Sequence, residues 1–154
     1  LEIAESDYVI NNNVWSNFNA MYKKNDKIMN HVQFFQPSLG WSSGPTALKY
    51  AADHKPRKIY ILGFDYQGHN DKQRKIFNNM FKDTRNYKKS TEEATFFGNW
   101  LNQTKRVLKD YPDIQFFRVV PKGWFKPKDL EWNKNIKHVD IDDFLRLYNL
   151  KIKI

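Results

Sequence analysis

The chain has 154 residues, 40% of them hydrophobic and 16% aromatic, which argues against a disordered protein and suffices for one domain with a sizeable core. The absence of cysteine excludes a disulfide framework and thiolate metal ligands, and no run approaches the roughly 20 apolar residues of a membrane-spanning helix. A formal net charge of +9 favours polyanionic partners such as nucleic acid, anionic glycans or nucleotides, although a lysine- and asparagine-rich proteome explains the same charge without any partner.

The first residues, Leu1–Glu5, are acidic and lack the basic and then apolar pattern of a signal peptide, so we expect a cytoplasmic protein. The chain begins with Leu1 rather than Met, and truncation at the amino terminus stays open. No repeat or linker interrupts the sequence, so we predict a single α/β domain over residues 1–154.

The first part of the chain predicts two strands with a helix between them. Asp7–Ile10 is a short strand candidate that runs into the asparagines at 11–13. Trp15–Lys24 carries aromatic residues at near-helical spacing and predicts a helix. Lys27–Phe35 predicts a second strand, which leads into a loop.

The middle of the chain predicts a helix followed by an apolar strand. Over Pro45–His54, Ser43 is the expected cap and proline occupies the first turn, where its missing N–H costs nothing. Ile59–Leu62 is apolar enough for a central parallel strand. Asp65 follows this strand, at the end where open α/β sheets bind ligands.

The long segment Gly68–Lys89 is polar and basic, with a short helix predicted around Ile76–Phe81. A segment of this kind over the carboxyl edge of a sheet is typical of a functional lid. Ser90–Glu93 matches a capping box, which predicts a long helix ending near Asp110.

The last part of the chain predicts a strand at Ile114–Val120, an irregular loop over Pro121–Lys137 and a short strand at Lys137–Val139. Asp140 is the expected cap of a final helix. The order of elements predicts an α/β fold with three layers, a Rossmann-like, mostly parallel sheet with helices on both faces.

The segment Trp41–Gln67 resembles the core of glycosyltransferase family 42, the bacterial sialyltransferases that use CMP-sialic acid. The shared pattern is a Ser-Gly turn at Ser42–Gly44, a helix, and then the strand and turn Lys58–Tyr66, which is similar to the family's Lys-Glu-Ile-Tyr-Leu strand followed by Gly, Asp and Tyr. A looser similarity extends to Val119. The resemblance implies transfer of a sugar from a CMP-type nucleotide sugar to an acceptor hydroxyl, with no metal cofactor.

The resemblance also implies roles for individual residues. The family's nucleotide contacts map onto Asn11, Asn12, Asn13, Ser42, Ser43 and Gly44. Tyr66 matches a tyrosine that holds the phosphate of the leaving CMP. Two family features have no counterpart: the nucleotide-binding Gly-Asn-Gly-Pro-Ser turn, and the catalytic histidine ahead of the long helix, where this chain has Asn86–Ser90.

The residues by themselves leave structural alternatives open for each of these roles. The serines at a helix start suit a phosphate but equally serve as caps, whereas Gly44 lets a ligand approach the backbone closely. Asp65 suits ribose hydroxyls or caps the next turn, and Tyr66 either donates to a phosphate or packs as an aromatic residue. The three asparagines also suit a plain turn.

His69 is the candidate for proton transfer because imidazole titrates near neutral pH, and an exposed loop histidine is its alternative. Lys72, Lys88 and Lys89 bracket the lid and are predicted to close over a phosphate or an acidic sugar; a solvated charged face is the other reading. No histidines are paired at metal-ligand spacing, so we expect no metal site.

Three functions follow, in order of preference. The first is a sialyltransferase-like glycosyltransferase that binds a nucleotide sugar. The second is a non-catalytic nucleotide- or glycan-binding module of the same fold. The third is a basic nucleic-acid-binding protein, because Pro121–Lys128 mixes cations with aromatic rings as single-stranded nucleic acid requires, although a surface loop pinned by Trp124 has the same pattern.

Overall fold

Three parallel strands with helices on both faces form the centre of the fold. The computed structural model describes residues 9–12, 32–35, 39–67, 69–71, 74–76, 82–85, 87–93 and 96–150. In chain order, the elements in these residues are β1 (Val9–Asn12), β2 (Val32–Phe35), α1 (Ser43–Asp53), β3 (Lys58–Ile61), β4 (His69–Asp71), β5 (Arg74–Ile76), α2 (Gly98–Asp110), β6 (Gln115–Val120), α3 (Lys128–Glu131), β7 (Ile136–Asp140) and α4 (Ile141–Leu147).

The main sheet has the strand order β3-β6-β7, and both pairs are parallel. The register pairs Ile59 with Phe116 and Phe116 with Ile136, so these three side chains share one face. Tyr60 and Phe117 are paired one position further along and share the other face. Two smaller pairs accompany the sheet, a parallel pair of β1 with β2 and an antiparallel hairpin of β4 with β5.

The first face of the sheet carries the hydrophobic core beneath α1 and α2. Ala52 from α1, Val107 and Leu108 from α2, and Phe116 from β6 are at most 1% exposed and belong to one cluster. Full burial of a large apolar side chain stabilises a fold by about 1.5–3 kcal/mol. This face therefore holds both helices on the sheet.

The second face of the sheet is covered by α4. Tyr60 stacks on Phe117 with 5.0 Å between ring centroids and contacts Phe144 of α4 at 5.2 Å. Asp140 ends β7 and caps α4, since its Oδ1 accepts from the backbone N–H of Asp142 at 2.8 Å. The predicted cap and the predicted three-layer α/β fold are both confirmed.

The capping box predicted at Ser90–Glu93 does not start a helix. The backbone N–H and the hydroxyl of Ser90 both donate to Asp83 Oδ1, at 2.8 and 3.1 Å. Glu92 Oε1 accepts from the backbone N–H three residues earlier. The side chain of Ser90 is therefore committed to Asp83 rather than to a helix start, so the prediction is wrong and α2 begins only at Gly98.

The strand predicted as central, β3, pairs only with β6 among the described strands. The central position belongs to β6, because β7 adds to its other edge.

The loop predicted over Pro121–Lys137 contains α3, whose Leu130 is fully buried in the core. Burial of this apolar side chain holds the short helix against the core.

Two helices are predicted over segments that the structure describes only in part or not at all. Ile76, predicted to lie in a short helix, ends β5 and pairs with His69 of the neighbouring strand. The rest of that helix and the helix predicted over Trp15–Lys24 lie outside the described residues.

Candidate functional site

A cavity of about 100 Å³ lies where β6 and β7 end. The two strands are parallel, so their carboxyl ends meet at one edge of the sheet, where open α/β sheets bind ligands. Sites for drug-sized ligands measure roughly 300–1,000 Å³, so this cavity is sized for a single small group. Its lining residues are Val120, Pro121, Lys122, Gly123, Lys126, His138, Val139 and Asp140.

Arg118 joins the loops at this edge from inside the protein. Its side chain is fully buried. Nε donates to the carbonyl of Phe64 at 2.7 Å, Nη2 to that of Asp65 at 3.0 Å, and Nη1 to that of Phe125 at 2.9 Å. The first two acceptors follow β3 and the third follows β6, so one guanidinium fixes the loops after two neighbouring strands relative to each other.

The guanidinium of Arg118 makes no salt bridge to any described residue. Burial lowers its pKa, yet an arginine guanidinium in a protein stays charged at pH 7. Its central carbon lies 5.2 Å from the ring centroid of Tyr66, a cation–π contact that replaces part of the lost hydration. The edge of the sheet therefore contains a buried positive charge.

His138 connects Arg118 with the cavity that it lines. Arg118 Nη1 approaches His138 Nδ1 at 3.5 Å, and because a guanidinium has no acceptor, Nδ1 is assigned as the unprotonated nitrogen. The proton of the neutral ring is then on Nε2, which is buried and has no hydrogen-bond partner in the described part of the chain. Burial, followed by the charges of Arg118 and Lys126, lowers the pKa of His138, so the ring is neutral at pH 7.

The loop after β6 supplies the charged wall of the cavity. Lys122 and Lys126 are exposed and line it. Between them, Gly123 has φ +74°, a left-handed backbone that glycine adopts without strain. The next residue, Trp124, has a buried Nε1 with no hydrogen-bond partner within the described ranges. These side chains offer two ammonium groups and an indole N–H, all of them hydrogen-bond donors.

Tyr66, predicted to hold a phosphate, is only 6% exposed, and its hydroxyl lies 2.7 Å from Thr104 Oγ1 of α2. Thr104 Oγ1 donates to the carbonyl of Trp100, so the Tyr66 hydroxyl is the donor of the pair. Burial raises the pKa of Tyr66 to about 12, which keeps the phenol protonated. In this conformation the hydroxyl is hydrogen-bonded to α2, and its role at a leaving phosphate stays a prediction.

Phe64 fills the space between the Ser42–Gly44 turn and the loop after β3. A Cβ placed on Gly44 would lie 2.9 Å from Cζ of Phe64, so this ring uses the close approach that glycine permits. The backbone N–H of Ser42 donates to Gln103 Oε1 at 3.0 Å, and the Ser42 side chain makes no capping bond to α1. A nucleotide at this turn would compete with groups of the protein itself.

The other residues predicted to bind nucleotide lie on separate segments. Asp65 is half-buried at the edge of the sheet that holds the cavity, and Ser43 is the exposed first residue of α1. Asn11 and Asn12 are the last residues of β1, and Asn13 lies outside the described residues. Of this set, the structure places Asp65 on the loops that Arg118 joins.

The residues predicted for proton transfer and for the lid lie between β3 and α2. His69 begins β4, Lys88 and Lys89 are exposed in the turn before α2, and Lys72 lies outside the described residues. No group of three or more histidine or acidic side chains in the described ranges is arranged to hold a metal ion. None of the described helices has both the length and the apolar character needed to cross a bilayer.

Sequence reasoning did not identify Arg118 and His138 as parts of the site. One signal was available: Arg118 is the charged residue inside the apolar run Phe116–Val120, and a charge in a buried strand is rarely without a role. The register that places His138 opposite Arg118 is a long-range feature of the β6–β7 pair.

No protein-family model matches the chain, and no curated protein or solved structure matches it either. The resemblance to the sialyltransferases therefore depends on the motif residues alone, and the function has to be argued from the site.

Proposed function

We propose that this chain binds a nucleotide or nucleotide sugar at the carboxyl edge of its parallel sheet, as a glycosyltransferase-like domain. The observation that carries the proposal is the buried Arg118, which joins the loops after β3 and β6 beside a lysine-lined cavity. A buried cation with no salt bridge to the described residues is costly to maintain. Binding of an anionic ligand, which needs a fixed positive charge at the edge of the sheet, would explain why the cation is buried there.

The cavity is too small for a whole nucleotide, so the phosphate and the nucleoside would bind at different places on this edge of the sheet. The cavity accepts one phosphate-sized group against Lys122 and Lys126. The nucleoside lies outside it, over the loop after β3, which carries the half-buried Asp65 as the predicted contact of the ribose hydroxyls. Anionic ligands are also attracted over a distance by the net charge of +9.

The binding proposal is tested by thermal unfolding with CMP, UDP and CMP- or UDP-sugars, with cytidine as the phosphate-free control. A ligand at ten times its Kd stabilises by about 1.4 kcal/mol, which raises Tm by roughly 3–6 °C in a domain of this size. We expect the variant Lys122→Ala/Lys126→Ala to lose the shift.

The matched control for this variant is Lys58→Ala/Lys134→Ala, which removes the same charge from two exposed positions at the amino edge of the sheet, the first residue of β3 and a residue just ahead of β7. It should keep the full shift. If no nucleotide at millimolar concentration shifts Tm, or if both variants lose the shift equally, the proposal fails.

Transfer of the sugar is a second candidate function, and the position of His69 favours it. His69 is the third residue after Tyr66, so the chain places the two α-carbons within about 11 Å of each other. In a single displacement, the acceptor hydroxyl oxygen would bond to the anomeric carbon, the bond to phosphate would break, and His69 would take the hydroxyl proton. Release of CMP from CMP-sialic acid that depends on an acceptor and is lost in His69→Ala would support transfer. Ligand binding without turnover would leave a binding module.

A further inference from the structure

Two buried N–H donors near this edge of the sheet have no acceptor among the residues that the structure describes. One is Nε2 of His138, and the other is Nε1 of Trp124. His138 lines the cavity directly, and Trp124 lies in the loop between the lining residues Gly123 and Lys126. A buried donor without a partner destabilises the fold, so two of them, one on β7 and one in the loop after β6, call for an explanation.

The surroundings of these donors select the kind of group that would satisfy them. Arg118, Lys122 and Lys126 are cations, and neither the tryptophan indole nor the lysines offer an acceptor. Asp140 also lines the cavity, and its Oδ1 accepts from the backbone N–H of Asp142 in the cap of α4. A ligand group that satisfies these donors and cations has to bring acceptors and negative charge. An oxyanion is such a group.

We infer that the cavity at the ends of β6 and β7 is an oxyanion subsite in which His138 and Trp124 donate to the oxygens of a phosphate or carboxylate group. The inference rests on the proposed function only in assigning that group to the phosphate of a nucleotide or the carboxylate of an acidic sugar. The volume of about 100 Å³ suits one such group. The donors are preorganised because Arg118 fixes both the ring of His138 and the loop that carries Trp124.

The experiment is an NMR titration of the full chain, labelled with ¹⁵N in its tryptophan and histidine side chains. Inorganic phosphate and glucuronate are the two probes, one for each source of the oxyanion. Trp124→Phe assigns the indole resonance. We expect phosphate to move the Trp124 Nε1–H resonance downfield and to perturb the His138 nitrogens, because both N–H groups gain an acceptor. A larger effect of glucuronate would assign the subsite to an acidic sugar.

Affinity measurements on two His138 variants test the donor itself. His138→Leu removes Nε2–H, and because a hydrogen bond to a charged group is lost, the affinity for the better probe should fall about tenfold or more. His138→Gln keeps an amide N–H near the position of Nε2 and should stay within about threefold of the parent chain. Should the leucine variant not fold, the titration of the parent chain decides.

The inference is overturned if neither probe moves the resonances of Trp124 and His138, or if His138→Leu binds as tightly as the parent. Its failure is distinguishable from that of the proposed function. Nucleotides that raise Tm while both probes leave these resonances unchanged would keep the proposed function and remove the subsite. Binding of the probes with no response to any nucleotide would do the reverse.

Discussion

Arg118 shows how a single residue holds this edge of the sheet together. An arginine presents several donors in a fixed plane, so it reaches the carbonyls of Phe64, Asp65 and Phe125 at the same time. A lysine at this position would keep the charge but present one ammonium group to three acceptors in different directions. The arrangement therefore depends on the guanidinium shape as much as on its charge.

His138 should make the stability of the protein depend on pH. Burial, Arg118 and Lys126 lower its pKa in the folded chain, Glu131 on α3 opposes them, and an unfolded chain has the ordinary value of 6.5. Below about pH 6.5 the unfolded chain binds the proton more readily, so the stability present above that pH is lost on acidification, by at most about 1.4 kcal/mol per pH unit. Two further charged residues, Lys122 and Asp140, line the same cavity as His138.

The measurement is chemical denaturation of the parent and of His138→Gln at pH 7.5 and pH 5.5. The parent should lose more free energy of unfolding over this interval than the glutamine variant, since glutamine does not titrate. Other groups titrate equally in both proteins, so the difference between the two isolates His138. Equal losses in parent and variant would contradict the assignment.

At the scale of elements, local patterns predicted α1, β3, β6 and the cap at Asp140 because each depends on neighbouring residues: a proline in a first turn, a short apolar run, an acidic side chain before a helix. The start of α2 could not be predicted in this way. Ser90 satisfies the motif, but Asp83, seven residues earlier, competes for both of its donors.

The site was predictable only in its general location. The rule that ligands bind at the carboxyl edge of a parallel sheet led through Asp65 to the edge where the candidate cavity lies, since Asp65 is on the loops held by Arg118. The specific residues were not predictable, since the pairing of Arg118 with His138 follows from the register of β6 against β7. Likewise, only packing reveals that Phe64 occupies the space beside Gly44.

The contact of the β3 loop with α2 depends on Tyr66 and Thr104. Tyr66 has φ +56°, an unfavourable backbone conformation for a bulky residue, and its hydroxyl donates to Thr104. Tyr66→Phe should reduce the free energy of unfolding by about 1–2 kcal/mol. Thr104→Val should have a similar effect, and the double variant should lose less than the two single variants added together, because the same hydrogen bond is removed.

Urea denaturation of the four proteins gives this double-mutant cycle. The cycle also bears on the predicted role of Tyr66 at a phosphate. If Tyr66→Phe left stability unchanged but lowered the affinity for a nucleotide, the hydroxyl would be turned toward the ligand in solution rather than toward α2.

At the scale of the whole molecule, the charge of +9 offers an alternative explanation for any anion binding. In the loop after β6, Phe125 is 41% exposed whereas the indole nitrogen of Trp124 is buried, so one ring of the predicted stacking surface is committed to the protein. A general attraction to polyanions depends on the number of cations, and binding in the cavity depends on their position. The two are separable with the same pair of variants.

Single-stranded oligonucleotides should bind this protein through its general field alone. Lys122→Ala/Lys126→Ala and Lys58→Ala/Lys134→Ala both lower the formal net charge by two, so both should weaken oligonucleotide binding alike. Binding should also decline steeply with salt, with a slope of about 0.7 in log K against log salt for each phosphate contacted. Fluorescence anisotropy over a range of salt concentrations measures both quantities. If the cavity variant instead lost oligonucleotide affinity while the control kept it, nucleic acid would be the ligand of this edge of the sheet. General attraction by the net charge would then no longer explain oligonucleotide binding.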